Sequence, residues 1–215
     1  MFFRDVQHQD RALSILRRAL VSGRTHHAYL FDGPEGVGKE LAARALAARL
    51  MCRSAADAVG GLFGAGEPPF EPCGECASCR AFAGGSHPDF HLIHRGLHEL
   101  HPDRTVRRGS GLYLPIDVIR DFLIEPAALR PALGARRLFL IRDAERMQDP
   151  AQNALLKTLE EPPGQAALIL VTPSAERLLA TIRSRCQRIP FAPLPADFVA
   201  ARLAALTGCD AATAR

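Results

Sequence analysis

Long apolar runs are missing from this chain of 215 residues, and lysine is nearly so. The longest hydrophobic stretches are short and interrupted by arginine, well under the ~18 residues that a membrane-spanning helix needs. The N-terminus lacks the charged-then-apolar pattern of a secretory signal. These absences exclude a helical membrane span and make a soluble, cytoplasmic chain the expectation. No internal repeat is found. Charge of one sign is not in great excess either: the formal net charge of +4 allows a local basic face but excludes a chain built to coat nucleic acid. Lysine occurs only at Lys39 and Lys157, and every other strongly basic residue is arginine.

What is present is a hydrophobic fraction of 47%, enough for one sizeable core or for one domain and part of a second. Lys39 stands in "DGPEGVGKEL", residues 32–41. Gly33, Gly36, Gly38 and Lys39 meet the spacing of a phosphate-binding P-loop, whose backbone N–H groups cradle phosphate oxygens while the lysine reaches the outer phosphates. The pattern asks next for a Ser or Thr whose hydroxyl ligates magnesium; this chain has Glu40. Two readings of Glu40 stand side by side. Facing the terminal phosphates at ~4 Å, its charge adds repulsion of roughly 4 kcal/mol at an effective dielectric of ~20, which weakens nucleotide binding. Swung outward, it is an ordinary first-turn residue at the positive end of a helix.

The surrounding pattern suits a P-loop. Residues 27–31 read as a buried strand feeding the loop, and residues 39–51, rich in Ala and Leu without Gly or Pro, as the helix after it. Residues 10–21 have helical spacing, and 53–72 read as a Gly-, Ala- and Pro-rich loop. Residues 87–112, with five histidines, read as loop around a strand at 90–93. Helices follow at 116–126, 153–163 and 175–186, with strands beginning near 136 and at 166–172. Strands apolar on both faces, alternating with helices, predict an α/β fold with a parallel sheet covered on both sides. After "IPFAPLP" an Ala-rich helix opens. The expected division is an α/β P-loop domain over 1–192, with a module at 52–79 inserted, and the start of a helical domain over 193–215.

Cys73, Cys76 and Cys79 form a C-x2-C-x2-C cluster, and Cys52, at the end of the P-loop helix, supplies a fourth thiolate. Four thiolates make a closed tetrahedral zinc site of structural type; the alternative is four reduced, unligated thiols. At the end of the strand near 136 the chain reads Arg142-Asp143. P-loop ATPases place carboxylates there for magnesium and for the attacking water. An arginine does not ligate magnesium, so both ends of the metal site are altered. "SRC", residues 184–186, is weak by itself; a lone surface arginine is the bland reading of Arg185.

In order, "HHAYLFDGPEGVGKE", "CGECASC", "NALLKTLEEPP" and "ERLLATIRSRCQRIPF" resemble the clamp-loader branch of the AAA+ family over nearly the whole chain, most closely its bacterial delta-prime group. The resemblance implies an AAA+ domain, a small helical lid and a helical collar, with the collar absent here because the sequence stops inside the lid. It implies that Arg185 is an arginine finger acting in trans on ATP held by a neighbouring motor subunit, and that Thr172 is the sensor at its strand end. Gly33, Gly36, Gly38 and Lys39 would be a degenerate P-loop, binding ATP or ADP weakly or not at all. Zinc would sit on Cys52, Cys73, Cys76 and Cys79. The implied partners are gamma/tau and delta subunits, the sliding clamp and primer-template DNA. A finger of this kind is expected at a helix end, free of carboxylates in its own chain. Three functions compete: a non-hydrolysing stator of the DNA polymerase III clamp loader, an ATP-hydrolysing gamma/tau motor of the same assembly, and a stand-alone zinc-bearing nucleic-acid module. Glu40 and Arg142 argue against the motor.

Overall fold

The computed structural model describes residues 2–54, 69–109 and 111–207. Most of the Gly- and Pro-rich loop, Cys209 and the last part of the expected helical domain lie outside the described residues. Helix α1 (Asp10–Val21) precedes strand β1 (Ala28–Asp32), which turns through the glycine loop into α2 (Lys39–Met51). The cysteine segment contributes a short helix, α3 (Ala77–Ala83), and the chain returns to the sheet as β2 (Phe90–Ile93). A helical stretch over residues 116–127, with a π turn at Arg120–Ile124, leads to β3 (Arg137–Ile141). Helix α4 (Asp149–Glu160), β4 (Ala166–Thr172), the four-residue helix α5 (Ala180–Arg183), β5 (Gln187–Pro190) and α6 (Ala196–Thr207) complete the described chain.

The five strands form one sheet in the order β2-β3-β4-β1-β5, with every neighbouring pair parallel. This is the expected α/β class. The two faces of each central strand feed different cores, as the period-two alternation of a strand demands. Tyr29, Phe31, Leu138, Leu140, Ile169 and Val171 pack on the α1–α2 side. Leu30, Phe139, Ile141, Leu168 and Leu170 pack on the side of α4 and residues 116–127. β1, β3 and β4 are therefore apolar on both faces. The edge strand β5, "QRIP", has one fully buried residue, Ile189, and nothing in its composition separates it from a loop; no strand was expected there. The helix expected over 175–186 is broken as well: a 3-10 turn (Ala175–Arg177) and α5 flank Leu178 and Leu179, which leave helical geometry and pack in or against the second core.

Small side chains let α2 lie close to its neighbours, and ten of its thirteen residues are buried. The described N- and C-terminal parts also meet. Gln9, buried, donates from Nε2 to the Ala192 carbonyl at 2.8 Å and accepts from the Ala192 N–H at 2.9 Å. This closed pair of hydrogen bonds fastens the chain leaving β5 to the segment entering α1.

Candidate functional site

The glycine loop, the end of β3 and the end of β4 all open at the carboxyl ends of parallel strands, where α/β sheets place ligand sites. Two glycines are dictated by geometry. A Cβ on Gly33 would stand 2.3 Å from the Phe191 carbonyl oxygen, so no side chain fits. Gly38 has φ +95° at the N-cap of α2, a left-handed turn that aims the first helical N–H groups into the loop. Lys39 is 6% exposed, and its Nζ donates to the Gly33 carbonyl at 2.5 Å and to that of Pro34. Burial lowers its pKa, although Glu35, Asp32, Glu145 and Asp143 pull the other way. Glu35, Gly36, Gly38, Lys39, Glu40 and Arg142 line a cleft of about 350 Å³.

Glu40 and Arg142 come together. Glu40 Oε1 accepts from Arg142 Nη2 at 2.7 Å and from Arg44 Nε at 2.9 Å. Burial works against the charge of Glu40, but hydrogen bonds from Arg142 and Arg44 win and hold its carboxyl below the ordinary value. Neither sequence reading of Glu40 contains this arrangement. The carboxylate stays at the cleft, so it does not swing away, and two guanidinium groups compensate its charge, so the repulsion is not left unopposed. A magnesium ion would need a hydroxyl and a carboxylate at these two positions; the residues present are joined to each other and do not fit that ion. Asp143 follows with φ +53°, a left-handed conformation rare outside glycine, and also lines the cleft.

Thr172 is fully buried at the end of β4. Its hydroxyl lies 2.9 Å from Glu145 Oε2 and accepts from the Ser174 N–H at 3.1 Å. Glu145, whose side chain is 6% exposed, is a site residue that the sequence reading did not name; nothing in its spacing marks it. Asp32, at the end of β1, accepts from the Ala175 N–H at 3.1 Å and from Arg188 Nε at 3.0 Å.

Arg185 lies just beyond α5, away from the cleft lining, with a side chain 34% exposed. It is not free of carboxylates: Nη2 donates to Glu160 Oε1 at 2.5 Å, and Nη1 donates to the Thr181 carbonyl at 2.9 Å. Glu160 belongs to the "NALLKTLEEPP" stretch, so two quoted motifs meet here through an ion pair.

The four predicted cysteines converge, with all sulfurs within 4.8 Å of one another. Cys52 follows the last residue of α2, and Cys76 caps α3 by accepting from the Cys79 N–H. Tetrahedral zinc with Zn–S bonds of about 2.3 Å puts its sulfurs about 3.8 Å apart; Cys73 and Cys79 are at 3.8 Å and Cys52 and Cys76 at 4.0 Å. The donor set fits a tetrahedral metal ion. Burial opposes ionisation of Cys73, but N–H donors from Cys76 and Glu75 bring its thiol down to about 6. Behind the cluster, buried Ser78 bonds to the Met51 carbonyl and to His87 Nε2, both at 2.8 Å, tying the module to α2 and to the start of β2.

A family model described as DNA polymerase III, delta subunit, matches residues 8–195. The chain belongs to that family. Among curated relatives, the DNA polymerase III subunit delta' of Pseudomonas aeruginosa is 38% identical over 79% of this chain and 44% of its own length. The delta' subunit of Bacillus subtilis is 35% identical over 91% of the chain and 51% of its own length. The tau subunit of Bacillus subtilis is 33% identical over 94% of the chain and 31% of its own length. The chain thus spans about half or less of the length of these curated relatives. Among solved structures, a DNA polymerase III gamma subunit-related protein of Thermotoga maritima superposes with a TM-score of 0.50 at 21% identity, over 87% of this chain and 47% of that one. The RuvB Holliday junction branch migration motor of the same organism gives 0.52 at 14%, over 99% and 56%. At such identities the likeness establishes the fold alone, an α/β domain built on a parallel five-stranded sheet flanked by helices.

Proposed function

We propose that this chain is the AAA+ part of a clamp-loader stator subunit of bacterial DNA polymerase III, which assists ATP-dependent loading of a sliding clamp onto primed DNA without turning over ATP itself. The observation that carries the reading is the 2.7 Å contact between Glu40 and Arg142, the two positions where an ATPase of this fold needs magnesium ligands. Arg185 acts in trans as an arginine finger on nucleotide held by a gamma/tau neighbour, where such groups are worth ~10³ to 10⁵ in rate. Thr172 takes the sensor position. Zinc on Cys52, Cys73, Cys76 and Cys79 is a structural ion that contributes folding energy. Residues 193 onward begin a lid domain, and the delta subunit, the sliding clamp and primer-template DNA are the further partners, in the cytoplasm.

Identity to a tau subunit over 94% of the chain supports a second reading, an ATP-hydrolysing motor. ATP turnover by the isolated chain separates the two. The stator reading expects a rate no higher than that of Lys39→Ala; a clear Lys39-dependent rate overturns it in favour of the motor.

A further inference from the structure

In a metal-dependent P-loop the ion does more than touch phosphate. It bridges the residue after the loop lysine to a residue at the end of another strand, here β3, which β4 separates from the strand that enters the loop, and so ties the first turn of a helix to the sheet. Here the same two positions, 102 residues apart in sequence, are tied directly through Glu40 Oε1 and Arg142 Nη2. Arg44 adds a second guanidinium on the same oxygen. With one carboxylate between two guanidiniums, the cluster keeps one positive charge in excess, as a divalent ion held between a hydroxyl and a carboxylate would. Lys39 is satisfied from within as well, by the carbonyls of Gly33 and Pro34. The two charged groups that would wait for a metal-nucleotide complex in an ATPase both have partners in this chain.

We propose that the Glu40–Arg142 ion pair takes over the bridging role of the divalent cation, so that the phosphate cleft is clamped to the sheet with neither metal nor nucleotide. The clamp rests on reading the cleft as a derived P-loop, but it fails separately from the stator function: ATP turnover tests the stator, and amide exchange tests the clamp.

The test is amide hydrogen exchange over residues 33–44 of the full chain, in EDTA and with magnesium ADP. Wild-type exchange should be the same in both within about twofold. Arg142→Gln should speed exchange at 33–44 about three- to fivefold, the range expected for a partly exposed ion pair, and leave β4 unchanged. Glu40→Thr combined with Arg142→Asp, which restores a hydroxyl and a carboxylate, should be as fast in EDTA and slow down when magnesium ADP is added. The clamp is overturned if wild-type exchange slows tenfold with magnesium ADP, if Arg142→Gln changes nothing at 33–44, or if the folded double variant ignores the metal. Should the double variant not fold, the wild-type and Arg142→Gln measurements still decide.

Discussion

Arg185 and Glu160 meet on an open surface, their side chains 34% and 49% exposed. Pairs of this kind contribute about 0–1 kcal/mol, so Glu160 holds the guanidinium loosely enough to allow the phosphate contact proposed above. Arg185→Ala should leave the melting temperature within about 3 °C while lowering DNA-stimulated ATP turnover of a reconstituted loader by at least tenfold. Turnover equal to wild type would return Arg185 to the role of a surface arginine. Asp89 is the opposite case, a fully buried carboxylate accepting from the N–H groups of Ala132, Leu133 and Gly134, each at 2.7 Å. Burial alone would raise its pKa, but the three N–H donors hold it below the ordinary value. A carboxyl with a depressed folded-state pKa lends stability above its unfolded pKa and loses it as pH falls through the folded one. Asp89→Asn should therefore cost about 2–3 kcal/mol near neutrality, and the difference from wild type should shrink below about pH 4. A denaturant titration series against pH gives both numbers; a pH-independent difference would show that shape, not charge, is what Asp89 supplies.

At the scale of elements, the cysteine cluster joins the end of α2 to the start of α3 and, among the described residues, has no apolar core of its own beyond the cysteines themselves. Elemental analysis should find one zinc per chain, and X-ray absorption should give Zn–S distances of about 2.3 Å. Cys76→Ser, or chelation, should lower the melting temperature by several degrees and expose the amides of α3 to exchange before those of the sheet. Metal-free protein with an unchanged α3 would refute the assignment. The elements most legible in the sequence were those whose composition is one-sided: α2, dominated by Ala and Leu, and β4, with six apolar residues in a row. β5 was illegible because an edge strand is defined by a partner, β1, more than 150 residues away in sequence, and not by its own alternation. The break before α5 was hidden because Leu178 and Leu179 have helical spacing and leave the helix only to satisfy the second core. α3, seven residues long and beginning within the cysteine motif, is too short to show a helical period.

For the molecule as a whole, the positions of the candidate site were legible and their pairing was not. Spacing located Lys39, the altered residues Glu40 and Arg142 and the four cysteines, because each belongs to a local pattern. That Glu40 answers Arg142 across 102 residues, or that Glu145 receives Thr172, follows only from the order of strands in the sheet. The contact of Gln9 with Ala192 has the same origin, and it carries a mechanical consequence. A pull on the chain beyond residue 192 does not peel β5 from the edge one bond at a time. The load divides between the amide of Gln9, rooted in the entry to α1, and the parallel bonds from β5 to β1, which resist sliding together. Force entering from α6 is thus spread into α1 and into β1, the strand that carries the phosphate loop. Gln9→Ala should let the β5 end give way at lower force in single-molecule stretching, with the glycine loop's exchange unaltered at rest.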